Sequence, residues 1–315
     1  MKRIISIIVS LVILAILYTK IDFARLLEVF RNCDPLWMIV SLGMVIPITF
    51  FTAWRLKQLV PAQAQLTLWE ANRLILAASV LNMVLPSKMG DIAKAYFMRD
   101  RGHLSGTLSL SIVVFEKTCD MLSLLLWCTF GLLLYPQKDA FFWTMTIGIL
   151  GGLTLGLLML GSKRFAQFFF LAARRFAPKK IAEKLRSMQL SWGEMHDYVW
   201  SSRTRLTRVA GMSVFVWFLH LLQIWLFILA LNAWAPPVDS FALSPLAILA
   251  GLLPLTFAGV GTRDAALVQL YAPYFGPSVG AALGLLCTSR YFLPAIGGLP
   301  FLNQYMSTVK RMKKA

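Results

Sequence analysis

Apolar residues run along this chain in segments of two distinct lengths. The longer ones, about Ile4–Tyr18, Asp34–Trp54, Leu108–Tyr135, Phe141–Leu160, Val209–Leu231 and Ser278–Leu302, predict six helices that cross a bilayer. A hydrocarbon core of ~30 Å takes about 20 mainly apolar residues of helix. The first run is short, and snorkelling of Lys2, Arg3 and Lys20 extends its reach. Lys2 and Arg3 ahead of an apolar stretch also resemble a signal peptide, but no small-residue cleavage pattern follows, so an uncleaved first helix is expected. Ile21–Asp34 mixes apolar and charged residues at helical spacing, which suits an interfacial helix on the extracytoplasmic side. Asp34 followed by Pro35 predicts a helix start, a capping carboxylate and then proline at the first helical position.

Two apolar runs are too short to span. Leu74–Leu85 reaches roughly 18 Å at the rise of an α-helix. It then meets Pro86, Ser87, Lys88, Gly90 and Asp91 in the sequence LILAASVLNMVLPSKMGDIAK, Leu74 to Lys94. A spanning helix does not comfortably carry Lys88, Asp91 and Lys94 so close together, and the segment predicts a re-entrant hairpin whose polar tip lies at depth, inside protein or beside water. A kinked cytoplasmic surface helix is the alternative. Pro245–Phe257 is the second short run; it ends in AGVGTRDA and predicts a second re-entrant segment, entered from the other side.

Placed in order, these elements expose a repeat. Residues 1–139 read span, span, broken half-helix, span, and residues 140–161 with 209–315 read the same way from the opposite side of the membrane. Paired short segments interrupted by Gly or Pro, at corresponding places in two inverted halves, point to a transporter's midplane site. The interval from Asp91 to Glu116 nearly equals that from Asp264 to Arg290. Residues 162–208 form a basic loop expected in the cytoplasm, and its first part, FAQFFFLAARRF, is expected to lie along the inner leaflet.

Composition narrows the class. With 58% hydrophobic residues and a mean hydropathy of +0.69, the chain is an all-α polytopic membrane protein. The net charge of +17 does not imply nucleic acid, because much of it lies in Lys163–Arg208 and in the tail Lys310, Arg311, Lys313 and Lys314. The positive-inside rule explains both, with the two termini in the cytoplasm of a cell that keeps the protein in its inner or plasma membrane. The four cysteines, Cys33, Cys119, Cys128 and Cys287, suggest neither a disulfide framework nor a metal site. No nucleotide loop, dinucleotide fingerprint or nucleophile–base constellation appears, so no cofactor and no catalytic residue is assigned.

The remaining chemistry is ionic. Glu116 and Asp120 share a helix face beside Lys117, within a span. Intramembrane charges of this kind line a substrate path or fix helix registry as ion pairs. Ser87 and Thr262 are expected N-caps of helices leaving the two tips, whose free N–H groups bind anions. Lys88 and Arg263 add positive charge there, and Arg290 offers a forked donor to phosphate. Gly259 and Gly261 mark the second helix break, and Asn82 either lines the cavity or bonds to a neighbouring helix. Asp91 and Asp264 are placed to balance the tip cations. The repeat puts Glu116 and Arg290 at equivalent positions, and a pair between them is expected.

The segments N-M-V-L-P-S-K-M-G-D (Asn82–Asp91), F-E-K-T-C-D (Phe115–Asp120) and G-V-G-T-R-D (Gly259–Asp264), with Arg290 downstream, resemble the lysylphosphatidylglycerol synthase transmembrane family. The resemblance covers nearly the whole chain. Where relatives typically place Arg or Glu, this chain has Lys88, Asp91, Lys117 and Asp264, which keep the charge sign but lose the arginine fork. It implies a flippase-like membrane region that moves phospholipid or lipid-linked head groups between leaflets. The soluble lysyl-transferase domain that full synthases carry after this region is absent, which argues against aminoacyl-lipid synthesis by this chain. The expected partners are a membrane lipid, with a second copy or a separate synthase as candidate protein partners. A membrane-embedded accessory subunit and an intramembrane head-group transferase are the rival functions.

Overall fold

The computed structural model describes residues 23–61, 64–84, 89–102, 104–135, 138, 140–252 and 260–305, and the described elements are helical. Five apolar stretches are long enough to cross a membrane: Pro35–Leu59, Leu108–Leu134, Phe142–Gly161, Arg203–Ala230 and Pro277–Leu302. The run Ile4–Tyr18 lies outside the described residues.

The chain begins with α1 (Phe23–Arg31), then α2 (Pro35–Gly43) and α3 (Val45–Leu59). Asp34 starts α2 as expected: its carboxylate accepts from the backbone N–H groups of Leu36 at 2.8 Å and Trp37 at 3.1 Å, with Pro35 in the first turn. The break between α2 and α3 falls at Met44, because Pro47 has no N–H to give the Gly43 carbonyl.

The first short apolar run is a helical hairpin, α4 (Leu68–Val84) returning as α5 (Met89–Gly102). The two helices meet at Gly90, where a Cβ would stand 2.2 Å from the Ala78 carbonyl oxygen. Only glycine permits that approach. A long helix follows, α6 (Gly106–Leu134), then α7 (Ala140–Gly161).

The basic loop is more than an anchor. It folds into α8 (Lys163–Phe176) and α9 (Lys179–Trp200) before α10 (Arg203–Ala230). Ala166, Phe170, Trp192, Met195 and Val199 are buried in one core with Leu56, Phe97 and Phe115. The Trp192 and Trp200 indoles donate to the carbonyls of Met159 and Leu160, and the Ser111 hydroxyl donates to the Ser191 carbonyl at 2.6 Å.

The second short run also differs from expectation in its extent. Its helix, α11 (Pro237–Leu252), starts eight residues before Pro245, which lies inside it. Ser240, Ala242 and Leu243 are buried there. The chain folds back as α12 (Thr262–Leu270), and the Tyr271 hydroxyl meets those of Ser240 at 3.0 Å and Ser244 at 2.7 Å. The last apolar stretch is two helices, α13 (Pro277–Ser289) and α14 (Phe292–Leu302), with a turn at Arg290 and Tyr291. Pro294 again supplies the reason, since it cannot donate to the Arg290 carbonyl.

The described residues divide into two compact units. One takes Met1–Ile48, Leu124–Ile149 and Val216–Leu293; the other takes Thr49–Ser123, Leu150–Phe215 and Pro294–Ala315. The first contains the α11–α12 hairpin and α13. The Asp34 N–H bonds to the Ala230 carbonyl at 2.8 Å there, and the Gln223 amide to the Ser41 carbonyl at 2.9 Å. The second contains the α4–α5 hairpin, α8 and α9.

Candidate functional site

In the second unit, six charged side chains from three helices form one network. Arg55 of α3 donates through Nη2 to Glu116 Oε1 at 3.0 Å, and through Nη1 to Asp120 and to the Ser213 hydroxyl of α10. Lys94 of α5 donates to the other Glu116 oxygen at 2.7 Å and lies 3.4 Å from Asp91. Lys117 reaches Asp91 at 3.3 Å and Asp120 at 3.5 Å.

Three cations thus face three carboxylates. Arg55 and Glu116 are 1% exposed, whereas the Lys117 side chain is 45% exposed. The network therefore runs from a dry end at Glu116 to an open end at Lys117. Both Glu116 oxygens are satisfied by a different cation, which is how a buried carboxylate stays ionised away from water. The Cβ of α6 residues 116 and 120 lie on one face because they are one turn apart.

The first unit holds the other charges. Arg263 of α12 is saturated: its Nε and Nη2 donate to Asp264 Oδ1 at 3.0 and 2.6 Å, and Nη2 also meets the Gly284 carbonyl at 3.0 Å and the Thr288 hydroxyl at 2.6 Å. Asp264 Oδ2 accepts from the Gly261 N–H at 3.0 Å, so Asp264 caps α12 from within the first turn. Gly261, at φ 98°, is the cap residue, and Thr262 is the first helical residue instead of the cap expected from sequence. Gly284 lets α13 come close, since a Cβ there would lie 2.8 Å from Asp264 Oδ1.

Arg290 stands apart. It is 5% exposed and sits at the turn between α13 and α14. Its Nη2 meets the Tyr291 hydroxyl at 3.3 Å, while Nε and Nη1 have no hydrogen-bond partner among the described residues. Glu116 is held by Arg55 and Lys94 of its own unit.

Of the residues singled out from sequence, Asp91, Glu116 and Asp120 come together in one unit, and Gly261, Thr262, Arg263 and Asp264 in the other. Asn82 faces Gly90 across the α4–α5 hairpin, and its Oδ1 is buried without a hydrogen-bond partner among the described residues. Ser87, Lys88 and Gly259 lie outside the described residues. Sequence reasoning missed Arg55, Lys94 and Ser213 as members of the network. The available signal for Arg55 was its position four residues before the end of an apolar helix; for Lys94 it was the Asp91 spacing of one turn. Among the described residues, no group of three or more His, Cys, Asp or Glu side chains could hold a metal ion.

The model of a known family, the lysylphosphatidylglycerol synthase TM region, matches residues 3–298. A relative described as UPF0104 membrane protein MJ1595, from Methanocaldococcus jannaschii, is 22% identical over 319 residues, covering 94% of this chain and 93% of that protein. No solved structure matches. With apolar helices long enough to cross a bilayer several times and a family match over most of its length, this chain is a multi-pass membrane protein belonging to the lysylphosphatidylglycerol synthase transmembrane-region family.

Proposed function

We propose that this protein is a lipid translocase, moving a phospholipid or lipid-linked head group between leaflets through a polar path while the acyl chains stay in lipid. The observation that carries this reading is Arg290: a buried guanidinium with two nitrogens lacking a partner among the described residues. A buried cation left half-satisfied favours an anion that brings its own oxygens, and a phosphate matches the guanidinium fork. In the same unit as Arg290, the Arg263–Asp264 pair fastens α12 to α13 through Gly284 and Thr288.

On the same proposal the α4–α5 and α11–α12 hairpins are re-entrant, residues 1–139 and residues 140–161 with 209–315 are an inverted repeat, and both termini face the cytoplasm. Each hairpin's second helix is fastened to the long helix after it, Lys94 to Glu116 in one case and Arg263 to Thr288 in the other, which supports a shared plan. One observation favours the rival accessory-subunit function: the six-charge network balances its own charge and needs no ligand. Transport by the purified chain alone in vesicles removes that rival.

The test is reconstitution with leaflet-resolved assays of phospholipids and isoprenoid-linked lipids, comparing the parent with Arg290→Gln. The expected result is transport of at least one anionic lipid, reduced at least tenfold in the variant. Thermal stability should be equal or higher, because a half-satisfied buried charge costs about 1–3 kcal/mol. A stable Arg290→Gln protein with full transport excludes Arg290 as the phosphate ligand.

A further inference from the structure

The structure assigns a second, peripheral lipid contact to α8: we propose that this helix seats anionic phospholipid at the membrane surface. Taking ~100° per residue, its side chains fall into three stripes. One, with Ala166 and Phe170, is buried in the core of its own unit. The second is aromatic, with Phe169 and Phe176 at 39% and 85% exposure, and Phe168, 69% exposed, stands between it and the third. The third is basic, with Arg164 and Arg175 both exposed and, among the described residues, in no ion pair or hydrogen bond.

A surface helix in water should bury its aromatic residues and show its polar ones. This helix keeps a second apolar stripe open beside a basic one. It has no acidic residue, and residues 162–208 carry eleven Lys and Arg against three Asp and Glu. The chain also fixes where it lies. The membrane-crossing α7 ends at Gly161, and the hydroxyl of Ser162 caps α8 by accepting from the Phe165 N–H. The helix therefore starts at the edge of the bilayer, at the depth where phenyl rings enter the acyl region and guanidinium groups meet phosphates. Charge complementarity selects anionic lipid as the occupant. Lys163 and Arg174 are already engaged by Asp197 and Gln189, which leaves Arg164 and Arg175 as the head-group contacts.

The test uses the full chain in vesicles of mixed phosphatidylglycerol and phosphatidylcholine. In a Cys33→Ser background, with the remaining cysteines buried, Phe168→Cys carries an environment-sensitive fluorophore. Ala172→Cys, about one turn further along α8, gives an independent probe. Quenching is compared for nitroxide-labelled forms of the two lipids. The expected result is blue-shifted emission, quenching by both lipids, and an apparent enrichment of about fivefold for the anionic lipid, the usual contribution of one juxtamembrane basic residue. That enrichment should fall towards unity in 1 M salt, where charges are screened within ~3 Å. Arg164→Gln with Arg175→Gln should abolish the preference yet keep quenching by phosphatidylcholine, since the aromatic stripe remains. Equal quenching by both lipids in the parent overturns the anionic seat. Unquenched, water-like emission at both probes overturns any lipid contact and assigns the stripe to a protein partner. The assay reads proximity and not transport, so its failure leaves the translocase proposal standing, and the converse also holds.

Discussion

Glu116 is the residue on which the buried network turns, because two cations share its two oxygens. Glu116→Gln should leave Arg55 and Lys94 with one carboxylate fewer in a dry site, and destabilise the protein by about 3–5 kcal/mol, as breaking a buried ion pair does. Lys117→Met removes a half-exposed cation held at longer distances and should cost under about 1 kcal/mol. Combining Glu116→Gln with Lys94→Met keeps the remaining charges balanced, so the double variant should be more stable than Glu116→Gln alone. Thermal or denaturant unfolding in detergent of the parent, Glu116→Gln, Lys94→Met and the double variant, with Lys117→Met beside them, checks this, and additive losses would mean that Lys94 and Glu116 do not interact. At this scale, sequence signals worked where the cause was local. Asp34 caps its helix because the chemistry lies within three residues. Thr262 fails as a cap because Asp264 reaches back to Gly261, a competition that spacing alone does not decide. Arg55 was not legible as a partner of Glu116, since nothing in a sequence says which face of α3 turns towards α6.

Gly90 belongs to the scale of elements. In sequence it reads as one of several small or polar residues at a tip; in the fold it is the contact point of the α4–α5 hairpin, against the Ala78 backbone and Asn82. Gly90→Ala forces the two helices apart and should destabilise the hairpin by about 1–3 kcal/mol, the usual range for overpacking. Gly148→Ala in α7 is the control, because a Cβ there meets nothing within 4 Å. Unfolding midpoints should drop for the first and stay nearly unchanged for the second. Equal behaviour would mean that the hairpin tolerates separation. Element positions were legible wherever an apolar run was long, as for α6 and α7. The short apolar run read from Pro245 begins inside α11, which runs through that proline, whereas Pro47 and Pro294 do interrupt their stretches. The fold of residues 162–208 was hidden for another reason. Their basic residues dominate the composition, while the buried stripe of α8 and α9 is spread thinly over 38 residues, Lys163 to Trp200.

The α11–α12 hairpin decides the topology of the whole molecule by parity. Between the basic segment 162–208 and the basic tail lie α10 and the α13–α14 stretch, both long enough to cross. Two crossings return the chain to the side it left. At 1.5 Å per residue α11 reaches roughly 24 Å and α12 roughly 14 Å, so neither spans a ~30 Å core alone. Laid end to end they would be long enough, and they would add a third crossing that puts the tail on the opposite side. The bonds of Tyr271 to Ser240 and Ser244 join the far end of α12 to the beginning of α11, so the two helices run antiparallel, and on the proposed re-entrant arrangement the segment would enter and leave on one face. Cysteines introduced at Lys163 and Lys310 should therefore react with impermeant reagents from the same side of the membrane, and that side should be the cytoplasm by the weight of Lys and Arg in both segments. On the same proposal, positions 57 and 101, before the α4–α5 hairpin and at its end, are expected on one side of the membrane. Reaction of Lys163→Cys and Lys310→Cys from opposite sides would turn the second hairpin into a crossing and end the inverted-repeat proposal. A same-side result for the 57 and 101 positions in that experiment would then confine the re-entrant arrangement to the first half of the chain.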